Sequence, residues 1–309
     1  SIWLMTYPSY IELSRSGELA ERAHQAFRLF EECVLCPREC RVDRTAGEKG
    51  VCGAGSEPQV SSYNAHFGEE PPISGSKGSG TIFFTHCNLR CVFCQNYPIS
   101  HLGHGNPVST ERMAEMMLNL QDRGCHNINF VTPTHYMPLV IAAVDEAAKK
   151  GLELPIVYNC GGYESLAALE LLEGVVDIYM PDMKYGESEA PEKYSGCPDY
   201  PEKNMAAVKE MYRQVGPLEM DEEGVARRGL LIRHLVLPND ISSSRRVLEF
   251  IARELSAEVY ISVMEQYFPA YKSVDDPDLN RGITSREYRR VLDIVEELGF
   301  TNGWIQGDP

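Results

Sequence analysis

The sequence has little positive charge and lacks any long apolar run. It contains 29 Lys and Arg against 45 Asp and Glu, which gives a formal net charge of -16. Because phosphate backbones are bound through a positive field, this balance argues against a nucleic-acid partner. No apolar run approaches the roughly 20 residues that cross a bilayer. Ser1 to Tyr10 also lack a basic leader and a small-residue cleavage site, so we expect a cytoplasmic protein with no membrane association.

A chain of 309 residues can form one large core, with or without a small appendage. In a reducing compartment its 10 cysteines are better interpreted as metal ligands or catalytic thiols than as disulfides. Seven of them form two groups, which predicts two metal sites. The other three, Cys125, Cys160 and Cys197, stand alone, and the sequence does not separate a functional role from that of a small buried residue.

The first group is Cys87, Cys91 and Cys94, directly after the apolar run Thr81 to Thr85. A [4Fe-4S] cube usually takes four thiolates, so three would leave one iron open to a non-protein ligand. The spacing alone also permits a zinc site whose fourth ligand lies elsewhere, or unligated thiols. The preceding strand and the apolar pair between the last two cysteines favour the cluster.

This stretch resembles the Cys-x3-Cys-x2-Cys signature of the radical S-adenosyl-L-methionine (SAM) superfamily, and within it the pyruvate formate-lyase activating enzymes. The local match runs from Ile82 to Asn96, and the broader resemblance from Thr81 to Pro269. It implies a [4Fe-4S] cluster on the three cysteines, SAM on the open iron, and Asn96 among the cofactor-binding residues.

The second group follows an amphipathic helix predicted over Glu18 to Cys33. Its members are Cys33, Cys36, Cys40 and Cys52, interleaved with Gly47, Gly50 and Gly53. Four thiolates suit zinc, another single ion or a second iron-sulfur cluster, and ligand type alone does not choose among them. Reduced cysteines in a glycine-rich loop are the alternative.

From Thr81 onward, strand-like runs alternate with helical patterns. The predicted strands are Thr81 to Thr85, Asn127 to Thr132, Pro155 to Asn159, Val176 to Asp182, Gly229 to Leu237 and Glu258 to Met264. The predicted helices are Glu111 to Arg123, Pro138 to Lys150, Ser165 to Leu172, Met205 to Val215, Ser243 to Leu255 and Ser285 to Leu298. This order predicts an α/β protein with a partial (β/α)6 TIM-like barrel over residues 81–309. We expect residues 1–80 to form a small N-terminal Cys-rich metal-binding extension, with Ser56 to Gly80 as a connecting loop.

Chemistry in such barrels collects at the C-terminal ends of the strands. Asp182 and Lys184 are two residues apart, so their side chains point to the same face of the strand. Charged side chains on the interior face of a barrel cost free energy unless they form an ion pair or bind a ligand. Arg233 and His234 are adjacent, so only one of them points inward. The resemblance places Asp182 and Lys184 next to SAM and selects Arg233 for the SAM carboxylate, which suits its rigid fork.

Three strand ends depart from the activating-enzyme pattern. Where that group carries Gly-Gly-Glu, this chain has Thr132-Pro133-Thr134-His135, and we expect Thr132 and Thr134 to bind SAM differently or the end to serve another substrate. His135 could transfer a proton or bind a ligand, and a helix-capping or core role is about equally compatible with the sequence. Asn159 stands where an acidic residue is usual. Gln266 lies near the expected place of a histidine and could contact adenine or ribose.

The resemblance implies reductive cleavage of SAM to methionine and a 5'-deoxyadenosyl radical that abstracts hydrogen from a substrate. Reduced flavodoxin or ferredoxin would supply the electron, and a glycyl radical enzyme would be the protein substrate. One alternative is radical modification of another peptide or small molecule. An alternative from a different class is a non-catalytic iron-sulfur electron-transfer protein, against which Asp182, Lys184 and Arg233 argue because a carrier has no use for a polar pocket beside its cluster.

Iron counting after anaerobic reconstitution tests the two-group interpretation. The parent should bind about four or about eight irons per chain, and replacing Cys87, Cys91 and Cys94 together by Ala should remove about four. Four irons retained in the variant would identify the second group as a cluster, and none retained would leave that group to zinc or another single ion. A variant that keeps all of its iron would contradict the assignment of the first group.

Overall fold

The computed structural model describes residues 8–305 of the chain. Its strands are β1 (Gln59–His66), β2 (Ser79–Phe84), β3 (Asn106–Pro107), β4 (Ile128–Val131), β5 (Ile156–Cys160), β6 (Ile178–Pro181), β7 (Glu219–Met220), β8 (Ala226–Leu235), β9 (Tyr260–Met264) and β10 (Gly303–Ile305). Its α-helices are α1 (Tyr10–Arg15), α2 (Glu18–Arg28), α3 (Pro71–Ser74), α4 (Tyr97–Ser100), α5 (Thr110–Asp122), α6 (Met137–Lys149), α7 (Leu166–Leu172), α8 (Glu189–Ser195), α9 (Tyr200–Val215), α10 (Ser244–Phe250) and α11 (Ser285–Glu297).

The sheet is mostly parallel, and its strands follow chain order. Strands β2, β4, β5, β6, β8, β9 and β10 lie side by side in that order, each parallel to its neighbour. Their C-terminal ends therefore meet at one edge of the sheet. The α/β class is confirmed, and each of the six predicted strands is present within residues 8–305.

Part of the predicted connection Ser56 to Gly80 is a strand, so the loop prediction is wrong there. Strand β1 pairs antiparallel with β2, with Tyr63 opposite Ile82. Strand β3 pairs antiparallel with β1 in turn. Only Val60 is fully buried along β1, so this edge strand lacks the apolar alternation by which a strand is recognised.

Helix α6 lies between the sheet and the N-terminal helices. Most of its residues are buried, since α5 and the pair α1 and α2 pack against it. Ser14 on α1 donates a buried hydrogen bond of 2.7 Å to Asp145 on α6, and the Tyr10 hydroxyl donates to the carbonyl of Leu154. These contacts fix the N-terminal helices on the outside of the sheet. Within residues 8–305, no helix is both long and apolar enough to cross a bilayer.

The two faces of the sheet differ in polarity near its C-terminal edge. On β8, Ile232 belongs to the apolar core that packs against the helices, whereas the next residue, Arg233, lies on the opposite face. Arg233 is there joined to Asp182, which directly follows β6. The predicted alternation of side chains along these strands is therefore confirmed, and it directs polar groups toward the inner face.

Asp177, directly before β6, should make stability depend on pH. Its carboxylate is 1% exposed and accepts a hydrogen bond from the Ile156 N–H, and burial raises its pKa to about 8. Between about pH 4, the unfolded value, and this folded value, the native state holds a proton that the unfolded state has lost. Stability should then fall as pH rises through this window, by at most about 1.4 kcal/mol per pH unit.

Asp177→Asn cannot ionise and should lack this fall. Measured by denaturant unfolding, it should gain stability over the parent as pH rises from 5 to 8. The exposed Asp122→Asn serves as the matched control and should follow the parent. Parallel curves for the parent and Asp177→Asn would contradict the inference.

Candidate active site

A cavity of about 250 Å³ opens at the C-terminal edge of the sheet. Ten of the predicted site residues line it: Cys87, Cys91, Cys94, Asn96, Thr132, Asn159, Asp182, Lys184, Arg233 and Gln266. A larger cavity, of about 630 Å³, lies between α11 and the loop after β8. We place the site in the smaller one, because it combines thiols with charged side chains at the ends of six parallel strands, β2, β4, β5, β6, β8 and β9.

The three thiols come from the loop that follows β2, called here the cluster loop (residues 85–96). Cys91 Sγ lies 3.0 Å from the Ser195 hydroxyl, and Cys94 Sγ lies 3.0 Å from the Ser100 hydroxyl. Burial raises the pKa of the Cys87 and Cys91 thiols despite the nearby Lys184 ammonium, so both are protonated when no metal is bound. A bound metal reverses this preference, because it ligates the thiolate.

Neighbouring segments hold the cluster loop in place. The Val92 N–H donates to the carbonyl of Tyr194, while the Val92 carbonyl accepts from the N–H groups of Lys272 and Ser273. Phe93 packs edge-on against Tyr185 and Tyr267. The apolar pair between the last two cysteines therefore anchors the loop.

Beside the thiols lies a charge cluster that is largely buried, with side chains 14% to 18% exposed. Asp182 accepts a hydrogen bond of 2.9 Å from Arg233 Nε and one of 2.6 Å from Lys184 Nζ. Arg233 Nη2 donates to Asn159 Oδ1 at 2.8 Å, and Nη1 lies 3.6 Å from a Glu69 carboxylate oxygen. Burial alone would raise the pKa of Asp182, but the charges of Arg233 and Lys184 outweigh it and hold that pKa below its usual value. The predicted inward pair is thus paired within the protein.

Glu69 was missed by the sequence reasoning. It lies between β1 and α3, with its side chain 8% exposed, and its neighbour Glu70 is also buried, which raises the pKa of Glu70. Two adjacent carboxylates in a segment otherwise rich in Ser, Gly and Pro were the only sequence signal, and that signal reveals neither their burial nor the distant partner Arg233.

The residues after β4 divide into one that lines the cavity and two that lie in the core. Thr132 lines the cavity with a left-handed φ of 57°, which is unusual for a β-branched residue. The structure does not bring Thr134 into the cavity, because its hydroxyl donates a buried hydrogen bond of 2.6 Å to Glu164. His135 is 2% exposed and bonded to the Thr85 carbonyl, and burial lowers its pKa to about 3. A neutral core histidine is the role that fits.

The four cysteines of the second group also come together. Cys33, Cys36, Cys40 and Cys52 line one small cavity of about 10 Å³ with Arg38, Arg44 and His135. The Val51 N–H lies 3.4 Å from Cys40 Sγ, and Arg44 Nη1 lies 3.8 Å from Cys33 Sγ. A Cβ at Gly50 would come within 2.7 Å of Cys40 Sγ, so the close approach requires glycine.

In neither cysteine group do the sulfur atoms surround a single point, as ligands of one metal ion would. Within residues 8–305, no three His, Cys, Asp or Glu side chains are arranged to hold one metal ion. In an iron-sulfur cube each thiolate binds a different iron, so thiols that surround a shared space suffice.

The lone cysteines Cys125, Cys160 and Cys197 are all buried.

The chain is similar in sequence to a known protein family and to a curated protein. Residues 81–217 match the family model of the Radical SAM superfamily. The "Uncharacterized protein MJ0674" of Methanocaldococcus jannaschii is 32% identical over 300 residues, covering 94% of this chain and 82% of that protein.

Two solved structures are more distantly similar. A radical SAM methyltransferase from Sphaerobacter thermophilus matches with a TM-score of 0.44 and 12% identity, covering 73% of this chain and 66% of that one. Streptococcus suis SuiB matches with a TM-score of 0.46 and 13% identity, covering 72% of this chain and 47% of that one. This chain thus spans less than two thirds of either structure, and at these TM-scores neither bears on its function.

Removing Asp182 should destabilise the fold strongly. Asp182→Ala leaves Arg233 and Lys184 without their shared carboxylate in a buried place, which costs about 3 to 5 kcal/mol. Glu254→Ala breaks the exposed pair with Lys209 and should cost at most about 1 kcal/mol. Denaturant unfolding of both variants measures the difference, and equal losses would show that the charge cluster is not buried as described.

Proposed function

Because this chain belongs to the radical SAM superfamily, we propose that SAM binds in the cavity at the C-terminal edge of the sheet. Family membership supports an enzyme that cleaves SAM at an iron-sulfur cluster. The observation that carries the placement is the gathering of three thiols and the charge cluster of Asp182, Lys184 and Arg233 around one cavity.

The residues present fit a [4Fe-4S] cluster on Cys87, Cys91 and Cys94. The hydroxyls of Ser195 and Ser100 lie within hydrogen-bond distance of two sulfurs, and such contacts stabilise thiolates and tune a cluster. The cluster and SAM, when bound, supply the one-electron cleavage that yields methionine and a 5'-deoxyadenosyl radical. The protein binds and orients SAM and shields the site from water.

Arg233 retains donors for the carboxylate of SAM. Its Nε and one Nη2 hydrogen are engaged by Asp182 and Asn159, which leaves a second Nη2 hydrogen and the Nη1 hydrogens nearest Glu69. Lys184 adds a second positive charge at the cavity wall, and Asp182 holds both cations in position before the ligand arrives. Such pre-organisation lowers the cost of ordering the site on binding.

The activated substrate is proposed to be a glycyl radical enzyme, with reduced flavodoxin or ferredoxin as electron donor. The match over Ile82 to Asn96 and the Asp182-Met183-Lys184 element support an activating enzyme. A different peptide or small molecule is the second candidate, favoured by Thr132, whose left-handed backbone lines the cavity where activating enzymes carry Gly-Gly-Glu. The polar cavity beside the thiols argues against a mere electron carrier.

We also propose that the sheet forms a partial barrel and that the protein is cytoplasmic. Parallel strands in strict chain order support a sheet that curves into a partial barrel. Ten free cysteines support the reducing cytoplasm.

The four-cysteine group is proposed to be a second metal site. Arg44 beside it is 1% exposed and has no carboxylate partner within residues 8–305, since its donors reach the carbonyls of Gly55 and His135 and the sulfur of Cys33. A buried guanidinium without a counter-charge is costly. Four thiolates on zinc or on an iron-sulfur cluster carry net negative charge and would balance it.

Reduced protein given SAM should release 5'-deoxyadenosine, measured by chromatography. Arg233→Ala should bind SAM about tenfold more weakly or worse, because it loses charge-assisted hydrogen bonds to the carboxylate. The exposed Arg227→Ala, on the same strand, is the matched control and should bind as the parent does. Iron content and circular dichroism verify that Arg233→Ala folds and holds its cluster. Parent-like binding by such a sample would contradict the placement, and a fully loaded, reduced parent that forms no 5'-deoxyadenosine would contradict the function.

A further inference from the structure

Arg38, between two cysteines of the second group, reaches out of its own loop to the cluster loop. Its Nε donates 2.9 Å to the carbonyl of Asn88, and its Nη2 donates 2.9 Å to the carbonyl of Ser195. Its Nη1 donates to the carbonyl of Gly196. One rigid guanidinium thus joins three segments that are remote in the chain.

The acceptors of Arg38 adjoin the cluster thiols. Asn88 directly follows Cys87, and its side chain is bonded to the Tyr163 carbonyl at 2.7 Å. The hydroxyl of Ser195 lies 3.0 Å from Cys91 Sγ. A shift of Arg38 would therefore be transmitted to two of the three cluster ligands.

All three acceptors of Arg38 are backbone carbonyls. Within residues 8–305 it forms no ion pair with a carboxylate, although its guanidinium lies over the Tyr163 ring at 5.7 Å from the ring centre. The three carbonyls accept hydrogen bonds from the rigid, planar guanidinium. Arg38 therefore holds these segments in place and does not neutralise a charge.

The loop that carries Arg38 is strained. Glu39 and Arg41 flank Cys40 and have left-handed φ values of 41° and 55°. Non-glycine residues hold such conformations only where the surroundings fix them. Ligation of Cys36 and Cys40 by a metal would fix this loop and with it the position of Arg38.

We propose that the metal at the four-cysteine site holds Arg38 in place, and that Arg38 clamps the cluster loop and so positions Cys87 and Cys91. The inference rests on the proposed function, since it requires a cluster on Cys87, Cys91 and Cys94. Arg38 is a positioning residue and touches no reacting atom. The second metal is a thiolate-bound centre, either an iron-sulfur cluster or a zinc ion. Zinc would require the sulfurs to move together, since no three of them among residues 8–305 are arranged around one point.

The test uses full-length protein, reconstituted without oxygen, and compares Arg38→Ala and Arg38→Lys with the parent. Arg41→Ala is the matched control, because Arg41 lies in the same loop but is 60% exposed and pairs with Glu32. Readouts are zinc and iron per chain, the electron paramagnetic resonance spectrum of the reduced cluster with and without SAM, and the rate at which a chelator removes the cluster's iron.

Arg38→Ala should keep the second metal, alter the spectrum of the SAM cluster and lose its iron about tenfold faster, because three hydrogen bonds from a charged group are gone. Arg38→Lys should restore little, since an ammonium cannot reproduce the fork. Arg41→Ala should match the parent. A Cys36→Ser/Cys40→Ser variant should lose the second metal and reproduce the Arg38→Ala spectrum.

A parent-like spectrum and release rate in Arg38→Ala would overturn the clamp, even if the double cysteine variant fails to fold. Zinc or about four irons retained after replacing Cys87, Cys91 and Cys94 would support the second site and identify its metal, and no retained metal would overturn it. Failure of the proposed function is distinguishable, because the parent itself would then hold no SAM-responsive cluster.

Discussion

The carboxylate of Asp182 is the contact on which the inner face of the sheet depends. It follows β6 and binds both Lys184 and Arg233, so two cations are held inside a fold that would otherwise exclude them. Because β6 and β8 are neighbouring parallel strands, the same pairing also ties two strand ends together. The polar wall of the cavity is thus part of the stability of the sheet, and a ligand meets cations that are already ordered.

The N-terminal residues are connected to this site through several independent contacts. Strand β1 extends the sheet on the side of β2, from which the cluster loop emerges. A carboxylate oxygen of Glu69, just after β1, lies 3.6 Å from Arg233 Nη1. Arg38 reaches the cluster loop from the four-cysteine group. The thiols and the charge cluster therefore both depend on residues that precede residue 81, where the family match begins.

The sequence predicted what depends on local pattern and missed what depends on remote contacts. Parallel strands and their ends follow from apolar periodicity, which placed Asp182 and the cluster cysteines at one edge in advance. The choice of Arg233 over its neighbour His234 came from the family resemblance. Glu69 could not, because its partner is distant in the chain. Thr134 was predicted to bind SAM together with Thr132 because both stand where activating enzymes carry Gly-Gly-Glu. In the structure the short turn Thr134–Tyr136 follows, and the Thr134 hydroxyl bonds to Glu164 instead. Arg38 binds backbone carbonyls, which leave no residue pattern to recognise.

With three cysteine ligands, one iron of the proposed cluster would be open for SAM. Electron nuclear double resonance on the reduced protein tests this directly, with SAM labelled by ¹⁵N in its amino group and ¹⁷O in its carboxylate. We expect hyperfine coupling of both nuclei to the cluster spin. A reduced, SAM-saturated sample in which neither nucleus couples would contradict it.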